Sequence, residues 1–367
     1  MTRDDPLTVA DVARLAQARL PKELWDYVAG GSGAETTLAA NRAALDEVAV
    51  LPRVLAGVAA PDPGTRLLGS ASSLPLAVAP MAYQRLLHPD GELATAEAAE
   101  AAGVPFVVST LASVTVEEVV KTGATTWFQL YWLRAPGVVE DLVARAEDAG
   151  CEALVVTVDV PVMGRRLRDV RNSFVLPDDV VAAHLTGGGD GTASRAHARE
   201  AGTSAIAAHT AAAFAPGLGW SDLEWLRDRT SLPLVLKGIL DPRDAVRAAG
   251  CGVDAVVVSN HGGRQLDGAA PSIAAVPSVV AALAGQAAVY LDSGIRTGTD
   301  ILRALASGAD GVLVGRPVLY GLAADGAPGA GRVLSLLAEE FRDAMTLAGC
   351  ADVAAVRELS TVRTVRA

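Results

Sequence analysis

The segment SNHGGRQLD, Ser259 to Asp267, brings a histidine, two glycines, an arginine and an aspartate together directly after an apolar run. His261 has the side chain best suited to move a proton near neutral pH, because its ordinary pKa lies there. Gly262 and Gly263 let backbone approach a ligand closely, and Arg264 offers a two-pronged donor to a carboxylate or phosphate. Lys237 ends a second apolar run, LPLVLKG, in a chain whose other lysines are Lys22 and Lys121. A lysine buried at a strand end must meet a negative partner or lose its proton. It therefore reads as a point charge facing an electron-accepting cofactor, or as a Schiff-base amine. DSGIRTG, from Asp292, and VGRP, from Val314, combine glycine amides with Arg296 and Arg316, a combination suited to a phosphate. In TVDVPVMGRRLRDVRN, Asp159 precedes Arg165, Arg166, Arg168 and Arg171. One of these arginines can reach a substrate anion while the rest meet solvent or acids; Asp159 either orients an imidazole or caps a turn. His88, His184, His197 and His209 lack such neighbours and read as structural.

The elements that must position these groups recur along the chain. Eight short apolar runs begin near Leu74, Val104, Thr126, Ala153, Leu232, Asp254, Ala287 and Asp310. Ala-rich amphipathic segments ending in Gly, such as GELATAEAAEAAG and VVEDLVARAEDAG, lie between most of them. That alternation predicts βα units, spaced about 20 to 35 residues apart except for one step of about 80. Eight such units predict a closed (β/α)8 barrel of the TIM type in a single domain over residues 1–367, with a helical lead-in over 1–70 capping it. The long step predicts an insertion after the fourth strand, residues 177–220, and Arg332 to Gly349 reads as a final helix. An open nucleotide-binding sheet is the alternative, but no early GxGxxG is present. In a barrel of this kind chemistry collects where strands end. The residues there are Pro80 to Tyr83, Ser109, Gln129 with Tyr131, Thr157 with Asp159, Lys237, Ser259 to Arg264, Asp292 to Arg296, and Gly315 with Arg316.

Composition narrows the classes of partner. The 367 residues are 51% hydrophobic, enough for a large core, and carry a net charge of −11. An acidic balance opposes nucleic acid as a ligand. The cysteines, Cys151, Cys251 and Cys350, have no paired spacing, so neither a disulfide framework nor a zinc knuckle is expected, and a reducing cytoplasm is. The charged N-terminus shows no export signal. The uncharged stretches Ala201 to Ser221 and Gly268 to Leu291 are too small-residue-rich or too Pro-interrupted to be expected in a membrane.

Taken in order, LPKELWDYVAGGSG, APMAYQRLLHPDGE, FQLYWLR, TVDVPVMGRR, LVLKGI, SNHGGRQLD, DSGIRTG and VGRP resemble the FMN-dependent 2-hydroxy acid oxidases and dehydrogenases over nearly the whole chain. The resemblance implies FMN as cofactor, a tetramer, and roles for positions already singled out. His261 would be the base with Asp159 beside it. Arg264 and Arg166 would clamp the substrate carboxylate, helped by Tyr27 and Tyr131. Lys237 would lie near N1 and O2 of the flavin, Gln129, Thr157 and Ser109 along its edge, and Pro80, Met81 and Ala82 near N5. The ribityl phosphate would rest on Asp292, Gly294, Arg296, Gly315 and Arg316, with Ser259 also on the cofactor side.

Leu111 stands where the glycolate oxidase type carries a Trp, and Met163 adds a flexible wall, so a larger side chain on the substrate is expected. Aromatic (S)-2-hydroxy acids lead, mandelate or 4-hydroxymandelate, oxidised to the 2-oxo acid with oxygen reduced to peroxide. Lactate or glycolate oxidation, or an FMN dehydrogenase with another acceptor, are the alternatives. A Schiff-base barrel lyase and a non-catalytic phosphate binder stand further off, and the yellow colour of a flavoprotein separates both from the first reading.

Overall fold

The computed structural model describes residues 5–135, 137–185 and 204–364. Its eight apolar runs form short parallel strands: β1 (Leu76–Val78), β2 (Phe106–Ser109), β3 (Thr126–Leu130), β4 (Ala153–Thr157), β5 (Leu234–Ile239), β6 (Ala255–Val258), β7 (Ala288–Leu291) and β8 (Gly311–Val314). Each strand pairs with the next and β8 pairs with β1, closing the barrel. The strands read as unbroken apolar runs because both faces are covered.

Alternate residues separate into two layers. Ala77, Val107, Trp127, Val155, Val235, Val257, Tyr290 and Leu313 form one cluster, which fills the barrel. The residues between them, such as Leu76, Phe106, Phe128, Val156, Leu236, Val256, Leu291 and Val312, join the core shared with the outer helices. A strand's period of two then dictates the next inward layer toward the carboxyl ends. It consists of Ala79, Ser109, Gln129, Thr157, Lys237, Ser259, Asp292 and Gly315. Polar side chains sit there because the strands end and no further apolar layer covers them.

The lead-in is helical over Val9–Arg19, Lys22–Ala29 and Thr36–Asp46. Beyond Asp46 it departs from the helical expectation. Thr65–Leu67 and Ser70–Ser72 form an antiparallel hairpin. Leu67 enters the interior cluster, and the Leu68 amide donates to Tyr290 Oη at 3.1 Å, so the hairpin plugs the amino end of the barrel. The final helix also differs from the reading at Arg332. Helix begins at Arg316, with Pro317 in its first turn, and runs to Ala348 with a break at Asp325 and Gly326. Gly326 turns at φ 57°, and Pro328 just beyond it cannot donate to the preceding turn.

Between β4 and β5 the described chain forms helices Leu167–Arg171, Ala205–Ala213 and Trp220–Arg227. Residues 186–203 of the expected insertion, and His197 with them, lie outside the described residues. Among the described residues no helix is long and apolar enough to cross a membrane.

Candidate active site

The polar inner layer and the loops that follow it line one cavity at the carboxyl end of the barrel. His261 turns away from β6 at φ 59°, in a loop whose amides are taken up locally. The His261 amide donates to Ser259 Oγ at 3.0 Å, and Asn260 Oδ1 accepts from the Gly263 amide at 3.0 Å. The imidazole Nδ1 lies 3.0 Å from Asp159 Oδ1. Donation from Nδ1 to that carboxylate leaves Nε2 as the proton acceptor. Of the two roles open to Asp159, the structure shows the imidazole partner. Burial holds His261 below its ordinary value against the opposing pull of Asp159. Burial raises the Asp159 carboxyl, but His261 and Lys237 outweigh it and the carboxyl lies below its ordinary value. Its close approach depends on a bulge in β5. Gly238 adopts φ 116°, and a Cβ there would lie 2.7 Å from Asp159 Cβ.

Lys237 is 4% exposed and finds its negative partner in Asp292, with Nζ 2.8 Å from Oδ2. Nζ also donates to Ser259 Oγ at 3.1 Å. Burial would lower the ammonium, yet Asp292 and Asp159 raise it, so Lys237 remains a cation. This does not favour the Schiff-base reading, which needs a neutral amine. Asp292 therefore meets the lysine at this site.

Four arginines complete the charge pattern. Arg264 Nη1 donates to the carbonyls of Tyr27 and Gly30 at 2.8 and 2.9 Å, and its guanidinium lies 5.3 Å from the Tyr27 ring. Burial and the neighbouring Arg264 push Arg166 down to about 10, and its Nε is buried without a partner among the described residues. Arg316 donates from Nε to the Val28 carbonyl and from Nη2 to those of Gly30 and Gly262, at 3.1, 3.0 and 2.8 Å. Burial and Arg264 push it down to about 9. Arg296 donates to the carbonyl of Ile295 at 2.7 Å. Arg168, by contrast, pairs with Asp26 and Glu35 and fixes the lead-in. The lining thus holds five cations, Arg166, Lys237, Arg264, Arg296 and Arg316, against one carboxylate, Asp292. A buried excess of this sign suits anionic ligands.

Tyr27 stacks on Phe174 at 4.9 Å and Tyr131 on Phe214 at 4.4 Å, and burial raises both phenols. Ser109 Oγ donates to Gln129 Oε1 at 3.1 Å. Gln129 and Ser259 are buried behind the lining, whereas Pro80, Met81, Ala82, Ser109, Leu111, Thr157, Met163, Gly294 and Gly315 form part of it. Sequence reasoning missed several groups here. Gln265 sat in a motif already singled out. Ser293 Oγ donates to Asp292 Oδ1 at 2.7 Å and accepts from the Gly262 amide at 2.9 Å. Ile206, Thr210 and Phe214 also reach the cavity, and their segment AIAAHTAAAF carries no sign of it.

The donor set fits FMN. Gln129 Nε2 is a buried donor without a partner among the described residues, the Lys237 charge lies in the barrel's top layer, and Arg296 and Arg316 flank the glycines of the last two strand ends. Comparison with known proteins agrees. The family model described as FMN-dependent dehydrogenase matches residues 16–363. A 4-hydroxymandelate oxidase of Amycolatopsis orientalis is 54% identical over 97% of this chain and 98% of its own. An L-lactate oxidase of a Nostoc strain is 48% identical over 95% and 96%. A crystal structure of mandelate oxidase with (S)-4-hydroxymandelic acid superposes with a TM-score of 0.95 at 53% identity, over 98% of this chain and all of that one. The chain belongs to the FMN-dependent dehydrogenase family. Its cofactor is FMN and its reaction is that of a 2-hydroxy acid oxidase, the FMN-dependent oxidation of a 2-hydroxy acid.

Proposed function

We propose that the preferred substrates are aromatic (S)-2-hydroxy acids of the mandelate and 4-hydroxymandelate type, converted to 2-oxo acids. One observation carries this reading. Leu111, Met163, Ile206 and Phe214 give apolar surface to a cavity that also presents five cations. A ligand with a carboxylate at one end and an aryl ring at the other matches both. The relatives whose names include 4-hydroxymandelate and mandelate support it.

In this reading Arg166 and Arg264 hold the substrate carboxylate, and Tyr27 and Tyr131 border the same space. His261 Nε2 accepts a substrate proton, and Asp159 keeps the ring in that tautomer and stabilises the imidazolium that results. FMN, when bound, supplies the electron acceptor. Lys237 presents positive charge toward the cofactor, while Arg296, Arg316 and the amides of Gly294 and Gly315 suit its phosphate. Oxygen as acceptor, peroxide as second product and a homotetramer follow from the family resemblance. Free cysteines at 151, 251 and 350 are consistent with a reducing cytoplasm as the compartment.

The test compares kcat/KM for glycolate, lactate, (S)-mandelate and (S)-4-hydroxymandelate in air, with peroxide as the readout. Higher values for the aryl acids are expected. A preference for glycolate or lactate would overturn the aryl assignment, and turnover without peroxide would overturn oxygen as acceptor.

A further inference from the structure

Gln265 directly follows Arg264, and the roles above leave it unused. Its carboxamide is engaged on three sides. Nε2 donates to the carbonyl oxygens of Asp159 and Val162, at 2.9 and 2.8 Å. Oε1 accepts from the Gly164 amide at 3.0 Å. All three partners belong to the loop that leaves β4, and that loop carries Asp159, Met163 and Arg166.

The two loops are in backbone contact at this point. A Cβ on Gly164 would lie 2.4 Å from the Arg264 carbonyl oxygen and 2.7 Å from Gln265 Cα. The loop from β4 is otherwise held near its two ends, by the Val158 amide on the Lys237 carbonyl and the Gly33 amide on the Arg165 carbonyl, both at 2.9 Å. Residues 158–166 adopt neither helix nor strand, and Val162 at the tip is 67% exposed, so Gln265 supplies hydrogen bonds to the middle of the loop. Meanwhile the loops bring two guanidiniums, Arg166 and the part-buried Arg264, close enough to repel one another. Like charges in a site with little water must be held together by other contacts.

We propose that Gln265 is a positioning residue that fixes the spacing between the His261–Arg264 segment and the Asp159–Arg166 loop. It thereby sets the geometry of the base with its carboxylate and of the two carboxylate-binding arginines. The inference rests on the roles given to those residues under the proposed function.

Gln265→Glu tests it with almost no change of shape. The glutamate keeps an acceptor for Gly164 but sets an oxygen against the carbonyls of Asp159 and Val162. In the FMN-loaded enzyme, flavin content and the thermal midpoint should match the parent. kcat/KM should fall about 10²-fold, as a displacement of about 1 Å in a catalytic geometry does. Binding of the 2-oxo acid, followed by its perturbation of the flavin spectrum, should weaken about tenfold. In an Arg166→Ala background the same substitution should cost less, because the spacing of the two arginines no longer matters and only the geometry of the base remains to be disturbed. Gln265→Ala, which adds no charge, should act in the same direction. The proposal fails if both variants keep kcat/KM within threefold of the parent, if the loss persists undiminished in the Arg166→Ala background, or if FMN is lost in step with activity. His261→Ala separates this failure from failure of the underlying roles: unimpaired flavin reduction in that variant would remove the roles themselves.

Discussion

In the proposed reading, His261 and Asp159 decide the acid side of the pH profile. Burial holds the imidazole below its ordinary value, so it stays neutral, and able to accept a proton, in more acidic solution than a free imidazole would. As pH falls through that lowered value Nε2 becomes protonated and kcat/KM drops; the acidic limb is expected below about 6.5. Asp159 opposes the lowering, so Asp159→Asn should move the limb further toward acid while reducing the rate. A limb above the ordinary imidazole value in the parent would contradict this. His261→Ala should retain FMN and slow flavin reduction about 10²- to 10⁴-fold, read by rapid mixing with substrate without oxygen. Arg264 differs in kind, since it anchors the lead-in through two carbonyls as well as adding charge. Arg264→Lys should weaken hydroxy acids more than their neutral esters, because lysine lacks the planar fork. Equal losses would place Arg264 outside the clamp. At this scale the sequence was informative where residue type and strand end coincide, as at Lys237 and His261. It was silent on Asp292 as the lysine's partner, because the two are brought together by barrel closure across 55 residues of chain.

The strands were legible for a simple reason: both their faces are buried, so each is an apolar run bounded by turn residues. The hairpin over residues 65–72 was not. Its strands have three residues each, TRL and SAS, and only Leu67 and Ser72 are buried, too little to show a period. Helix Ala205–Ala213 was hidden differently. Its sequence, AIAAHTAAA, is apolar nearly all round, so no face is marked as the one toward the cavity. Yet Ile206 and Thr210, one turn apart, both line it, and Phe214 follows. This element and the loop bearing Leu111 both give apolar surface to the site. Leu111→Trp should therefore fill space that an aryl group occupies. The ratio of kcat/KM for mandelate over glycolate should fall by at least roughly 10- to 200-fold, the range for a change of a single methylene. An unchanged ratio would show that Leu111 does not border the substrate's side chain.

Across the whole molecule the charges are divided unevenly. The chain carries −11 overall, while the cavity at the carboxyl end of its barrel is lined by five cations and a single carboxylate. Composition hid that contrast, because the acids lie mainly elsewhere and the cavity draws its cations from five separate stretches of sequence. The same cations join distant parts of the fold. Arg264 and Arg316 donate to carbonyls of Tyr27, Val28 and Gly30, fastening the lead-in over the carboxyl end of the barrel. Carbonyl dipoles compensate buried guanidiniums only in part, and Arg166 and Arg316 are held well below their ordinary values. An anion entering the cavity should relieve that repulsion and stabilise barrel and lead-in together. FMN at about a hundred times its Kd should add about 2.7 kcal/mol, which for a chain of this size raises the thermal midpoint by roughly 3 to 4 °C. Riboflavin has the same ring system without the phosphate dianion, so its effect on the apoprotein should be much smaller, with inorganic phosphate recovering part of the difference. Thermal unfolding of apoprotein with each of the three is the measurement. Equal stabilisation by riboflavin and FMN would mean that Arg296, Arg316 and the last two strand ends do not hold the phosphate, and that the cavity's excess charge serves the substrate alone.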